Sequence, residues 1–343
     1  MYISDKFDSG NIESVDLSDP QNLQLAIKRD NQSDFFQWFH FRFEAELDKQ
    51  YRFNIINAGQ SAYPQAWKGY HVVASYDREQ WFRVESEFDG QQLSFSVLLE
   101  QNSIYFAYFT PYSYERHQDL IHSCLADERV SLNTLGQTID GRDMSLLTIG
   151  DAEQAKHKVW MIARQHPGES MAEWFIEGML ARLLDQDNPL AITLLKDTVF
   201  YVVPNMNPDG AYRGHLRTNA KGVNLNREWA NPSMENSPEV YLVKQAMQGT
   251  GIDMFLDVHG DEALPYNFVA GCEGNPNYDE RLKSLEDTFK QAFKRKWLQL
   301  FCFDSVFNKQ KQHFCRLCSD SFSVSPGTKI HVKAAIKLHA KNR

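Results

Sequence analysis

The chain has 343 residues, of which 42% are hydrophobic and 13% aromatic, so it is long enough for two domains with buried cores and too apolar to be disordered throughout. A formal net charge of -9 argues against nucleic acid as a partner, because a nucleic-acid surface needs a basic footprint. Its apolar runs are shorter than the roughly 18 residues of a membrane helix, its N-terminus lacks a secretory apolar region, and five scattered cysteines do not form a disulfide framework. We therefore expect no membrane partner and a cytoplasmic location.

The first third of the chain has the pattern of an all-β domain. Short runs rich in aromatic and β-branched residues alternate with polar turns, which is typical of an antiparallel sandwich. The predicted strands are 36–43, 51–57, 70–75, 93–98 and 104–109. Aromatic residues in such runs are more often sheet core than binding residues. We expect an N-terminal antiparallel β-sandwich domain over residues 1–125, with these aromatic side chains in its core.

Strands then alternate with helices. The predicted strands are 159–163, 199–203 and 254–258, and the predicted helices are 170–184 and 236–247. Alternation of this kind indicates an α/β fold with a mixed, mostly parallel sheet that is covered by helices on both faces. This α/β domain is predicted to occupy residues 126–293.

The last fifty residues differ in composition from the rest of the chain. From Lys294 onward there are eleven Lys or Arg and only two acidic residues, Asp304 and Asp320, whereas the upstream chain is acidic. This segment also lacks a clear alternation of strands and helices. Residues 294–343 are predicted to be an atypical basic tail that replaces the expected end of the α/β domain and leaves that domain incomplete at its C-terminal end.

Two of the predicted strands run into residues that bind zinc in enzymes. The first leads into the sequence RQHPGE (164–169), and another leads into HG (259–260). Ligands of open α/β sheets collect beyond the carboxyl ends of the strands, and the Pro-Gly turn can direct His166 and Glu169 toward one point. A His after a strand is more often a hydrogen-bonded structural residue, and H-x-x-E alone is a weak signal. Two His and one Glu at such strand ends nevertheless match a catalytic zinc set that leaves one coordination position open.

A segment between these two motifs carries arginines suited to binding anions. It contains NPDG (207–210), which is a turn signature, followed by Arg217 and by LNREW (225–229) with its Asn226-Arg227 pair. A guanidinium can bind a terminal carboxylate through two parallel hydrogen bonds, and it can stabilise an oxyanion that forms on a scissile carbonyl. The alternative is that these arginines are solvated loop charges.

Taken in order, these motifs resemble those of the zinc carboxypeptidase superfamily. The matching motifs are HPGE, NPDG, LNREW and LDVHG, and the N-terminal runs FDSGN, QWFHFRF, YRFNIIN and YFAYFTPYSYERH resemble the β-domain of cytosolic carboxypeptidases. The resemblance covers roughly residues 7–293. It implies a hydrolase of the metalloprotease type, a zinc metallocarboxypeptidase with one zinc ion per chain, acting in the cytoplasm on the C-terminal tails of peptides or proteins.

The resemblance also implies a role for individual residues. The implied zinc ligands are His166, Glu169 and His259, the implied carbonyl-polarising and oxyanion-binding residue is Arg217, and the implied carboxylate-binding pair is Asn226 and Arg227. The implied reaction is zinc-promoted hydrolysis of the last peptide bond. One departure is Asn224, where many carboxypeptidases have an Asp that supports the first zinc histidine. An Asn can still accept a hydrogen bond from that imidazole, but it brings no charge.

A second departure concerns the general base. The family has a glutamate downstream of the last zinc histidine, and usually a tyrosine, in a region that is the basic tail here. The glutamates that follow His259 are Glu262, Glu273, Glu280 and Glu286, and all lie in predicted loop or helix too close to it in sequence to be assigned as the base. Either the protein is a natural degenerate form, or the tail is an out-of-frame reading of the usual ending. The abrupt change in composition favours the second.

Three functions remain open at this point. The first is a carboxypeptidase, with acidic, glutamate-type substrates suggested by the family. The second is a zinc deacylase, which uses similar ligands on a related fold, although NPDG, LNREW and the β-domain favour the peptidase. The third is a catalytically impaired module that binds peptide C-termini, because the general base is missing. His313, Cys315 and Cys318 in the tail form only a weak zinc motif, which we interpret as accidental.

Overall fold

The protein is described by a computed structural model that covers residues 1–263, 268–270, 279–304 and 333–336. Its N-terminal region consists of two five-stranded sheets. The strands are β1 Tyr2–Ser4, β2 Glu13–Asp16, β3 Leu23–Ala26, β4 His40–Glu44, β5 Gln50–Ile55, β6 Val72–Ser75, β7 Phe82–Val84, β8 Ser86–Phe88, β9 Leu93–Leu98 and β10 Ser103–Ala107. The strand orders are β1-β4-β10-β6-β7 and β2-β3-β5-β9-β8. Neighbouring strands are antiparallel except β3 and β5, which are parallel.

Aromatic side chains fill the space between these two sheets. Phe53 of one sheet lies with its ring centroid 4.9 Å from that of Phe43 and 5.0 Å from that of Phe106, both in the other sheet. On its own sheet, Phe53 stacks on Phe95 at 5.0 Å. All four rings are buried. The expectation that the aromatic runs form the core of a β-sandwich is confirmed for these residues.

The aromatic run 36–43 was predicted as one strand, but β4 begins only at His40. Phe36, Trp38 and Phe39 precede the strand and are buried nevertheless. The side chain of Gln37 is also buried, and its carboxamide oxygen accepts a hydrogen bond from the backbone N–H of Tyr63. The run is therefore apolar because its side chains are buried. A buried segment without β pairing has the same apolar sequence pattern as a buried strand, so the sequence does not distinguish the two.

The second region contains a seven-stranded mixed sheet with helices on both faces. Its elements are α1 Tyr114–Cys124, β11 Val130–Gln137, β12 Asp143–Ile149, β13 His157–Ala163, α2 Ser170–Leu184, α3 Pro189–Asp197, β14 Thr198–Val203, α4 Pro208–Arg213, α5 Pro238–Thr250, β15 Met254–His259, β16 Phe268–Ala270, α6 Glu280–Asp304 and β17 Lys333–Ile336. The strand order is β11-β12-β14-β13-β15-β17-β16, and the central strands β14, β13 and β15 are parallel. The predicted α/β fold is confirmed.

Alternation along β13 explains why helices cover both faces of this sheet. Met161 packs in one cluster with Ile176 and Leu180 of α2, whereas Trp160 packs in another cluster with Val240 and Val243 of α5. Successive side chains of a strand point to opposite faces. In β13 the side chains on both faces are apolar, so both faces of the strand must be buried.

Parts of the predicted tail appear in the second region. α6 continues across residue 294, and β17 pairs antiparallel with β15 and parallel with β16. The other tail residues, including His313, Cys315 and Cys318, lie outside the described residues. Both the limits of the domains at 125 and 293 and the incompleteness of the second domain remain predictions. Within the described ranges, no helix is both long and apolar enough to cross a membrane.

Phe53→Ala tests the aromatic core of the N-terminal region. The side chain is fully buried between the two sheets, so we expect the variant to lose about 3–5 kcal/mol of unfolding free energy through lost burial and the remaining cavity. Urea unfolding of the purified variants measures this. Leu98→Ala, at a side chain that is 58% exposed, is the matched control and should change stability little. Equal losses in the two variants would contradict the proposed core.

Candidate functional site

The candidate metal-binding residues lie where two parallel strands end at the same edge of the sheet. In the register of β13 and β15, Ala163 is opposite Val258. The HPGE loop follows β13 at once, and His259 is the last residue of β15. Arg164 extends the ladder by donating its backbone N–H to the oxygen of Val258 at 3.3 Å. Its φ of 57° lies in the left-handed region, which turns the chain out of the sheet and into the loop that carries His166 and Glu169.

His166, Glu169 and His259 converge on one point. One possible ligand atom from each residue lies within 4.8 Å of the others, and all three side chains are buried. His166 Nδ1 is 2.8 Å from Glu169 Oε1, and His259 Nδ1 is 2.8 Å from Glu169 Oε2. The structure therefore brings together all three residues that the sequence predicted as zinc ligands. Gly260 follows directly and donates its backbone N–H to the same carboxylate at 3.0 Å.

Each imidazole is also held from its other nitrogen. His166 Nε2 lies 3.2 Å from Asn224 Oδ1, and His259 Nε2 lies 3.0 Å from Asp257 Oδ2. These oxygens accept the Nε2–H hydrogens, so in the neutral form of each imidazole the Nδ1 lone pair is directed at the carboxylate. The expected hydrogen bond from the first histidine to Asn224 is confirmed. Support of this kind orients the metal-binding histidines of known sites.

The donor set fits zinc. Two imidazoles with one carboxylate are ligands that zinc accepts, and when the imidazoles are neutral their Nδ1 lone pairs and the carboxylate all face one point, where a cation is stabilised. The electrostatics of the cluster favour positive charge at this point. Burial disfavours the charged form of His259, but Asp257 and then Glu169 outweigh burial and raise its pKa to about 10. Burial likewise opposes ionisation of Glu169, yet the two imidazoles hold its pKa well below the usual range.

A buried ion pair lies beneath the loop that carries these ligands. Arg164 donates from Nη1 to Glu173 Oε2 at 2.7 Å and from Nε to the backbone oxygen of Pro167 at 3.0 Å. Glu173 Oε1 lies 2.7 Å from His117 Nδ1, and Glu173 Oε2 also accepts from Asn205 Nδ2 at 3.0 Å. Arg164 and Glu173 are 1% and 0% exposed. Charges this deeply buried persist only when they are fully hydrogen-bonded, so the network fixes the HPGE loop to α1 and α2.

The predicted substrate-binding residues lie on two loops beside this cluster. Arg217 is half-buried, and its guanidinium carbon lies 5.5 Å and 5.7 Å from the ring centroids of Phe35 and Tyr63. Asn226 is half-buried, whereas Arg227 is exposed and donates to the backbone oxygen of Asn226 at 3.1 Å. Both belong to a short 3-10 helix, Leu225–Arg227, that begins at Asn224, the partner of His166. The roles of these three residues remain predictions.

The loop that carries Arg217 is joined directly to the metal-binding loop. Gly168 donates its backbone N–H to the oxygen of Leu216 at 2.9 Å. A Cβ atom at Gly168 would lie 2.9 Å from that same oxygen, so a larger residue would separate the two loops. Arg217 therefore directly follows Leu216, the residue whose backbone oxygen contacts the HPGE motif.

Several residues near the site were not predicted from the sequence. Asp257 lies two residues before His259 in the LDVHG motif, and residues i and i+2 of a strand share a face, so this spacing could have identified it. Phe35 and Tyr63 belong to the N-terminal region, where the pattern indicated only core aromatics, and no sequence rule pairs them with Arg217. Glu262 was not assigned as the general base, because its sequence position indicates a loop close to His259. Burial and then the charge of Glu169 raise its pKa to about 8, with Arg217 acting in the opposite direction, so its carboxyl group lies within electrostatic reach of the site.

Comparisons with known proteins agree with this geometry. Residues 3–109 match the cytosolic carboxypeptidase N-terminal domain, and residues 124–323 match the zinc carboxypeptidase family. The chain belongs to the zinc carboxypeptidase family, with the accessory N-terminal domain of cytosolic carboxypeptidases.

Individual relatives agree with this assignment. The chain is 47% identical to an uncharacterized protein of Zymomonas mobilis, over 83% of this chain and 74% of that protein. It is 30% identical to cytosolic carboxypeptidase 6 of Homo sapiens, over 77% of this chain and only 58% of that protein. A metallo-carboxypeptidase from Pseudomonas aeruginosa, solved in complex with (2-guanidinoethylmercapto)succinic acid, has a TM-score of 0.81 and 49% identity over 85% of this chain and 78% of that chain.

Replacement of a ligand histidine tests the metal centre. We expect the unmodified chain to retain one zinc ion after dialysis, whereas His166→Ala and His259→Ala each lose it because two ligands remain. Metal analysis of the dialysed proteins measures this. His157→Ala, at an exposed histidine that begins β13, is the control and should retain its zinc. Full zinc content in either ligand variant would rule out this site.

The buried ion pair is tested by Glu173→Gln. This change leaves the Arg164 guanidinium buried without a counter-charge, so we expect a loss of about 3–5 kcal/mol of unfolding free energy. Urea unfolding of the metal-free variants measures the effect without involving zinc. Glu177→Gln, at an acid whose ion pair with Arg116 is partly exposed, should cost much less. A small loss in Glu173→Gln would show that the network does not stabilise the loop.

Proposed function

We propose that this protein is a zinc-dependent metallocarboxypeptidase that hydrolyses the C-terminal peptide bond of peptides or protein tails. The observation that carries the proposal is the convergence of His166, Glu169 and His259 at the carboxyl edge of parallel strands, with ligand atoms within 4.8 Å of one another. Membership of the zinc carboxypeptidase family supports it. Zinc held by these residues would supply a Lewis acid that polarises the scissile carbonyl and activates water.

Arg217, Asn226 and Arg227 give the site its selectivity for a chain end in this proposal. Arg217 donates hydrogen bonds to the carbonyl oxygen as negative charge develops on it, which is worth more in a partly desolvated site than in water. Asn226 and Arg227 bind the free carboxylate, and the exposed Arg227 guanidinium can donate two parallel hydrogen bonds to it. A peptide without a free carboxylate would lose this second contact.

The class of substrate is proposed from the relatives. The Pseudomonas aeruginosa protein was solved with (2-guanidinoethylmercapto)succinic acid, whose carboxyl groups support binding of a free C-terminal carboxylate. The ligand also carries a guanidino group, so it does not support an acidic last residue. The preference for glutamate stays an expectation from the resemblance to cytosolic carboxypeptidases. The relatives named cytosolic carboxypeptidases support a cytoplasmic location. Because the chain spans 58% of the length of the human relative, the substrates of that whole protein are not transferred.

Peptide trimming tests the proposed function. Zinc-loaded protein is incubated with peptides that end in Glu, Lys or Leu and with the same peptides carrying a C-terminal amide, and the products are identified by mass spectrometry. We expect release of the last residue from the free-acid peptides only, with glutamate preferred, and loss of the activity when zinc is chelated.

The other outcomes separate the alternatives. Binding of free-acid peptides without trimming, by zinc-loaded protein, would indicate a module that binds peptide C-termini and lacks a general base. Hydrolysis of N-acyl amino acids without trimming of peptides would indicate a deacylase. Either result would overturn the carboxypeptidase proposal.

Kinetic constants of two arginine variants test the assigned roles. Arg217→Ala should lower kcat by about 10²–10³-fold, because it removes a donor that acts on the developing oxyanion. Arg227→Ala should mainly raise KM, because it removes a contact made equally by substrate and transition state. Lys221→Ala, at a nearby loop cation whose ion pair with Glu235 is partly exposed, is the control. Identical effects of the two arginine changes would contradict the division of roles.

A further inference from the structure

The loop that carries Arg217 is held by the N-terminal region at many points. We define the Arg217 loop as residues 214–222. At its start, Gly214 accepts a hydrogen bond at its backbone oxygen from Asn11 Nδ2 at 2.8 Å. Near its end, Ala220 accepts one from Asn31 Nδ2 at 2.7 Å. A Cβ atom at Gly222 would lie 2.6 Å from the backbone oxygen of Asn31. The loop is thus in close contact with two segments of the β-sandwich.

The centre of this loop is bound by a single carboxylate. Asp30 Oδ1 accepts the backbone N–H of Leu216 at 2.6 Å, and Asp30 Oδ2 accepts those of Arg217 and Thr218 at 2.8 and 2.9 Å. The Thr218 hydroxyl donates to Oδ2 as well, at 3.1 Å. Asp30 is 3% exposed. Three successive amides directed at one buried carboxylate form a charge-assisted cradle, which is stronger than the same number of neutral hydrogen bonds.

We propose that Asp30 is a positioning residue for Arg217, through which the N-terminal region completes the active site. This inference rests on the proposed role of Arg217 in hydrolysis. Asp30 fixes the backbone on both sides of Arg217, while Phe35 and Tyr63 flank the guanidinium. The oxygen of Leu216, whose N–H is bound by Asp30, accepts from Gly168 of the metal-binding loop. One carboxylate therefore sets the distance between the arginine and the zinc ligands.

The side chain of Leu216 adds a second attachment. It is buried and belongs to the aromatic core cluster of the N-terminal region rather than to the cores of the second sheet. The backbone of this residue is thus held by Asp30 on one side and by Gly168 on the other, while its side chain is anchored in the sandwich. A loop fixed in this way can present a guanidinium with little reorganisation, which is what preorganised stabilisation of an oxyanion requires.

Asp30→Asn tests the proposal in the full, zinc-loaded chain. A carboxamide offers one oxygen to three amides and places an NH₂ group against the others, so the loop shifts while the side-chain size is kept. A misplacement of about 1 Å at a catalytic group costs about 10²-fold, and we expect kcat for a trimmed peptide to fall by this order with little change in KM. Asn54→Ala is the matched control, because Asn54 is a buried N-terminal residue whose side-chain bonds go to Asn22 and Ser94.

A double-mutant cycle separates positioning from stability. If Asp30 acts through Arg217, Asp30→Asn leaves kcat unchanged in the Arg217→Ala background, because the group it positions is already absent. Equal losses of kcat in both backgrounds, or an equal loss in Asn54→Ala, would overturn the proposal and leave Asp30 as a structural residue only.

Amide hydrogen exchange gives a readout that needs no activity. In the metal-free protein we expect slow exchange at Leu216, Arg217 and Thr218, and faster exchange at these three amides in Asp30→Asn but not in Asn54→Ala. Rapid exchange in the unmodified protein, or no change in Asp30→Asn, contradicts the contact. If the unmodified protein trims no peptide but the exchange follows this pattern, the carboxypeptidase proposal fails while the Asp30 contact stands.

Discussion

The convergence of two imidazoles on the carboxylate of Glu169 is the constraint on which the rest of the structure depends. Both Nδ1 atoms lie 2.8 Å from its oxygens, and both Nε2 atoms are held from behind by Asn224 and Asp257. A buried carboxylate that faces two imidazole nitrogens is stabilised by positive charge, which protonated imidazoles or a bound cation supply. The parallel pairing of β13 and β15 supplies the geometry, because it brings the ends of both strands to one edge of the sheet.

The surrounding architecture holds this edge from two sides. From below, the ion pair of Arg164 and Glu173 connects the metal-binding loop to α1 and α2. From the side, Asp30 of the N-terminal region binds the loop that carries Arg217. Both contacts place a buried charge against hydrogen-bond donors, so each is costly to break. If Arg217 has its proposed role, the β-sandwich is a part of the catalytic unit rather than an appended module.

The sequence predicted those parts of the fold and site that follow from local pattern. The helix over 170–184 and the strand over 93–98 match the structure to the residue, because helical spacing of apolar residues and alternation of apolar and polar residues are local signals. The cluster of His166, Glu169 and His259 could be predicted because its two motifs follow strands that the pattern already indicated. Asp30 and Tyr63 could not, because their partners are distant in sequence. Asp257 lies two residues before His259 on the same strand, a local spacing that could have identified it. The aromatic run 36–43 was predicted as a single strand, although the strand begins only at His40. Residues that are buried without β pairing have the same apolar pattern as a strand.

The metal centre is tested most directly by a crystal structure of the zinc-loaded protein with anomalous data collected at the zinc edge. We expect one zinc peak bound by the Nδ1 atoms of His166 and His259, at about 2.0–2.1 Å, and by the carboxylate of Glu169, with the hydrogen bonds to Asn224 and Asp257 retained. A zinc ion bound elsewhere, or bound through the Nε2 atoms with those hydrogen bonds broken, would contradict it.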